Sequence, residues 1–76
     1  MNNSSFTTSY IKNHLKNILS DNFDKIVCLN TDDNIDLNSY IILDSIDESN
    51  NLIDLEFRQN DNTFSLLINK NTIKYE

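Results

Sequence analysis

The chain has neither glycine nor proline anywhere in its 76 residues. Any turn that needs a positive φ must therefore fall on asparagine or aspartate, the non-glycine side chains that best tolerate that region. The connecting segments obey this rule: Thr31 to Asn34, Asp47 to Asn51, Gln59 to Asn62 and Asn69 to Asn71 are all rich in Asn and Asp. The same absence removes the usual phosphate-cradling loops, whose backbone approaches the ligand only where no Cβ intervenes.

Between these turns the apolar pattern has two periods. Ile11, Leu15, Ile18 and Leu19 recur at i, i+4, i+7 and i+8, which lays one stripe along a helix placed at Thr8 to Asp21. From Lys25 onward the period falls to two, most clearly where Ile53, Leu55 and Phe57 alternate with Asp54, Glu56 and Arg58. Strands are expected at 25–30, 39–46, 52–58, 63–68 and 72–75. The first two are apolar at both phases, the pattern of strands covered on both faces. The expected architecture is α+β and mainly β: a flexible stretch over 1–7, then a single domain over 8–76 with one N-terminal helix and five strands.

A chain this short gains only about 3–5 kcal/mol from its own core and usually draws on a disulfide, a metal or a partner. Cys28 is the only cysteine, which excludes an internal disulfide and a multi-cysteine zinc site. A partner is the expected support. The net charge of −6 repels a phosphate backbone, so sequence-specific nucleic-acid binding is not expected. The longest apolar run, Tyr40 to Leu43, is far too short to span a bilayer, and the amino terminus carries no basic and apolar leader pattern. A soluble intracellular chain with no membrane contact is the expectation.

The residues capable of chemistry have plain structural readings. Cys28 falls within an expected strand, where cysteine acts as a small hydrophobe, and His14 borders the helix stripe. Asp32, Asp33 and Asp36 cluster in a turn, but a calcium loop needs a central glycine and a glutamate at its twelfth position, and both are missing. Asp44, Asp47 and Glu48 are ordinary strand and turn carboxylates. No catalytic residue, metal, cofactor or small-molecule substrate is expected.

Two stretches carry a family resemblance. Ile46-Asp47-Glu48-Ser49-Asn50-Asn51-Leu52 resembles the first Sm motif, and Leu67-Ile68-Asn69-Lys70-Asn71-Thr72-Ile73-Lys74-Tyr75 resembles the second. The resemblance implies an Sm-like, SH3-like fold: a strongly curved five-stranded antiparallel sheet or small barrel behind the helix. In RNA-binding members a base is stacked and held at positions that fall here on Ser49, Asn51, Asn69 and Lys70. Only the asparagine is retained, and neither Ser49 nor Asn69 offers the stacking that contributes about 1–3 kcal/mol per base.

With its acidic balance and N-terminal helix, the chain is similar to the non-canonical Sm-fold Gemins of the SMN complex, the seventh more than the sixth. That implies a non-catalytic subunit in spliceosomal snRNP assembly, cytoplasmic and nuclear, paired with another Sm-fold protein. The implied pairing edges are Thr63, Phe64, Ser65, Leu66, Leu67 and Ile68, with Thr72, Ile73, Lys74 and Tyr75. Thr63 to Ile68 has no charge or proline to blunt an edge. Two alternatives stay open: a small acidic inhibitor that mimics nucleic acid, of the phage anti-defence type, which would need its carboxylates on one face, and an RNA-binding LSm or Hfq-like ring.

Overall fold

The structure, a computed structural model, describes residues 3–73. Two helices, α1 (Asn3–Asn13) and α2 (Leu15–Asp21), precede four strands: β1 (Val27–Cys28), β2 (Ile42–Ser49), β3 (Leu52–Gln59) and β4 (Asn62–Asn69). The class is α+β and mainly β, as the periodicity implies. The four strands form one antiparallel sheet in the order β1-β4-β3-β2. Because β1 and β2 stand at opposite ends and do not pair, the sheet is open, which corrects the barrel form of the expectation.

The single expected helix is broken at His14. Its ring stacks on Tyr10, with centroids 4.2 Å apart, and its Nδ1 lies 2.9 Å from the Tyr10 carbonyl, which also accepts the His14 backbone N–H at 3.0 Å. A carbonyl only accepts, so Nδ1 carries the hydrogen. With its side chain sharing a backbone acceptor, His14 leaves helical geometry at φ −124 and ψ 24. The break does not divide the stripe. Ile11, Ile18 and Leu19 are buried on the sheet and Leu15 is half-buried.

The expected start at Thr8 is also corrected, because α1 begins at Asn3 and takes in residues 3–7 of the stretch expected to be flexible. Met1 and Asn2 lie outside the described residues.

Strand boundaries differ for local reasons. Phe23–Lys25 turns as a 3-10 helix, so the strand expected at 25–30 shrinks to Val27–Cys28, although the Leu29 N–H still donates to the Thr63 carbonyl at 2.7 Å. The strand expected at 39–46 is displaced to Ile42–Ser49. The Asp36 carboxylate accepts from the Asn38 N–H at 2.9 Å and the Ser39 hydroxyl at 2.8 Å, which curls the chain before it can enter the sheet. Neither strand is covered on both faces, since Val27 and Ile42 are exposed. Of the fifth strand expected at 72–75, Thr72 belongs to a 3-10 turn, Lys70–Thr72, capped by the Asn69 side chain, and Ile73 follows in extended conformation. Lys74 and Tyr75 lie outside the described residues.

The two tight hairpins meet the demand set by the missing glycine. Asn50 opens the β2–β3 turn at φ 47 and Asn60 opens the β3–β4 turn at φ 56. Each turn has two residues, so alternate residues fall into fixed faces. One face presents Ile53, Leu55 and Phe57 of β3 with Phe64, Leu66 and Ile68 of β4 to the helices. Phe57 and Phe64 are direct register partners with rings stacked 5.9 Å apart. Each of these side chains contributes about 1.5–3 kcal/mol by leaving water. Ile35 adds a plug from the long β1–β2 connection.

Candidate docking edge and sheet face

The strand order changes which edge is free. Thr63 to Ile68 belongs to β4, which is hydrogen-bonded to β3 along its whole length and to β1 at Phe64 and Ser65. The expectation of β4 as an edge strand is thus corrected: the β1 contact arises because the chain, after α2, returns along the hairpin instead of beside β2. Thr63 and Ser65 face β1. The alternation leaves Leu67 pointing the same way, beyond the end of β1, so only a short stretch of this side is uncovered.

The long open edge belongs to β2. Ser49 and Leu52 flank a two-residue turn and must exchange both backbone hydrogen bonds, so Asp47 pairs with β3 in the same way while Ile46 and Glu48 direct their N–H and C=O groups outward. Among the described residues no strand lies on that side. A bulge at Asp44, where the register slips between Leu43 and Ser45, interrupts the edge near its start. The Asp44 carboxylate takes the Arg58 Nε–H at 2.7 Å and holds that guanidinium even more firmly protonated than usual. Edges are commonly blunted by bulges, charges and proline. Here a bulge and acids serve, without lysine or proline.

The sheet face away from the helices is acidic. Asp47 stands directly opposite Asp54, and Glu56 lies between Ser45 and Ser65 in the next row toward the bulge. The Ser65 hydroxyl donates to Asp54 at 3.3 Å. Arg58, which also faces this side of the sheet, is engaged by Asp44. Leu52 and Leu67 stand among the acids, exposed by 43 % and 56 %.

On the other face a groove of about 250 Å³ runs between α1 and β2, lined by Thr8, Lys12, Leu43, Asp44, Ser45 and Ile46. The half-buried Leu43 and Ile46 give it an apolar floor.

Ser49, Asn51, Asn69 and Lys70, the residues the Sm resemblance singled out, are neighbours at one end of the sheet. The Lys70 N–H donates to the Asn51 carbonyl at 2.7 Å, and Leu52 between Ser49 and Asn69 completes the row. Their polar groups serve the fold. The Lys70 ammonium meets Glu48 at 2.7 Å, and the Asn69 side chain accepts from the Asn71 N–H at 2.9 Å.

Cys28 and His14 are not joined by any contact. The Cys28 thiol lies 3.1 Å from the Thr31 hydroxyl and 3.4 Å from the Asn30 side-chain oxygen, whereas His14 is engaged with Tyr10. Desolvation pushes the thiol's pKa up, but hydrogen bonds from the Thr31 hydroxyl and the Thr31 and Asn30 backbone together hold it below its ordinary value. Two aspartates of the same connection are also occupied. Asp33 accepts from Asn62 at 3.2 Å, and hydrogen bonds from Asn38 and Ser39, aided by Lys16, hold Asp36 below the usual carboxylate range. No group of three metal-ligating side chains occurs among the described residues, nor is any described helix long and apolar enough to cross a membrane.

The true span of β2 is hidden in the sequence because the Asp44 bulge breaks the period of two. The available signal is the spacing of Leu43 and Ile46, three apart on the same face, which an unbulged strand does not allow. No protein-family model, no curated protein and no solved structure matches this chain.

Proposed function

We propose that this chain is a non-catalytic protein-binding module that captures an extended segment of another protein along the outer edge of β2. The observation that supports this is an eight-residue strand at the end of the sheet whose Ile46 and Glu48 backbone groups face outward, with no strand beside them among the described residues. Strand addition supplies main-chain hydrogen bonds with little demand on sequence. An added strand also extends a small core, the support a chain of this size lacks. In the Sm-like form of this reading, the partner is another Sm-fold subunit of an snRNP-assembly complex, and β2 takes the pairing role that the resemblance gave to β4.

The test mixes the purified chain with purified Sm-fold subunits and follows mass by light scattering and amide exchange residue by residue. A stoichiometric complex with new protection at Ile46 and Glu48 supports both the edge and the Sm-type partner. A complex that leaves those two amides unchanged contradicts the edge.

A second reading has its own observation. Asp47, Asp54 and Glu56 lie on one sheet face, the concentration of carboxylates that an acidic mimic of nucleic acid requires. In that reading the chain occupies the basic groove of a nucleic-acid-binding protein, and it would displace a labelled duplex from that protein without altering its folding.

A further inference from the structure

Resting on the β2-edge reading, we infer that the captured segment is a strand with alternating basic and apolar residues, and that a second copy of this chain is not the occupant. A strand laid beside β2 places alternate side chains on opposite faces of the sheet. Those on the outer face meet Asp47, with Asp54 and Glu56 behind it. Cations belong there, because opposite charges across neighbouring strands are favourable and like charges are not. Side chains on the inner face enter the groove between α1 and β2, over Leu43 and Ile46 and below Thr8 and Lys12, where apolar residues of modest size fit the 250 Å³ available. Lys12 and Asp44 both line this groove, so their charges offset and its apolar floor of Leu43 and Ile46 sets what enters.

Self-pairing fails on the same grounds. Two β2 edges meeting about a two-fold axis near Asp47 would bring the Asp47 carboxylates of the two copies together, in chains that each carry a net charge of −6. A basic strand therefore gains from the charges that exclude a second copy.

The test uses the full chain, isotopically labelled, titrated in low salt with three capped eight-residue peptides: alternating lysine and valine, alternating glutamate and valine, and the lysine peptide with one central valine replaced by proline. The lysine peptide is expected to bind and protect Ile46 and Glu48. The glutamate and proline peptides are expected to bind about tenfold more weakly or less, the proline effect matching the loss of one net hydrogen bond.

Asp47→Lys, which relieves the Asp54 opposition and should leave the chain folded, is expected to weaken the lysine peptide by about two- to fivefold. Equal binding of the glutamate peptide with the same protection overturns the inferred partner chemistry while the edge reading stands. Lysine-peptide binding that spares Ile46 and Glu48 and ignores proline overturns strand addition itself. If no peptide binds, or if the chain alone is a dimer paired through β2, both fall.

Discussion

Gln59 holds Asp36 by both of its backbone groups. Its Oε1 accepts the Asp36 N–H at 2.8 Å and its Nε2 donates to the Asp36 carbonyl at 2.6 Å, so the side chain reproduces the two bonds of a strand pair. Gln59 is buried at the end of β3, and it anchors the connection that crosses from β1 to β2 past the β3–β4 turn. Gln59→Leu leaves the Asp36 groups without these partners and is expected to cost about 1–3 kcal/mol in urea unfolding. Unchanged stability would show that the connection is held elsewhere.

The two faces of the sheet should respond differently to truncation. Leu19, fully buried on the helix side, is expected to lose about 2–5 kcal/mol as Leu19→Ala, because the cavity adds to the lost transfer energy. Leu52 is exposed on the acidic face, and Leu52→Ala is expected to stay within about 0.5 kcal/mol. Equal losses would mean that the outer face is covered in the isolated chain.

The Asp47–Asp54 opposition leaves stability unclaimed. Asp47→Asn removes one of two like charges placed directly across strands and is expected to stabilise the chain by about 0.2–1 kcal/mol. The gain should shrink in high salt, which screens the repulsion in the parent chain. A destabilised variant would show that the pair is compensated in a way that its neighbours do not reveal.

The α+β class and one of the two hairpin frames were legible because their signals are local. Ile53, Leu55 and Phe57 alternate without interruption, and in a chain lacking glycine only Asn or Asp suits the turn positions that Asn50 and Asn60 occupy. The helix stripe was legible too, because Ile11, Ile18 and Leu19 reach the same core despite the break. That break depends on the His14 side chain meeting the Tyr10 carbonyl, which apolar spacing does not encode. Strand order was the larger loss. Whether the segment containing Val27 and Cys28 lies beside β2 or β4 depends on long-range anchors such as Asn30, whose side chain accepts from the Thr63 N–H and donates to the Asp61 carbonyl. The edge assignment to Thr63–Ile68 failed for that reason, since an uncharged strand suits the interior of a sheet as well as a covered edge.

Acid should loosen the Asp36 turn late. Hydrogen bonds from the Asn38 N–H and the Ser39 hydroxyl stabilise the carboxylate and lower its pKa from the ordinary 3.8, so the folded state binds that proton less readily than the unfolded chain. The stabilisation is therefore fully present above 3.8 and is lost as the pH falls below it through the lowered folded value. The Asn38 amide resonance is expected to move in that acid range in the parent chain and to lose the titration in Asp36→Asn. Movement centred above the ordinary carboxylate value would contradict the sign.

The most direct test of the account is amide hydrogen exchange on the free chain, because everything functional proposed for it requires an open β2. Ile46 and Glu48 are expected to exchange rapidly, while Asp47 between them, bonded to β3, and Leu55 and Leu66 at the centre of the sheet exchange slowly. Protection of Ile46 and Glu48 equal to that of Asp47 would show that the edge is already covered, and would contradict the docking role.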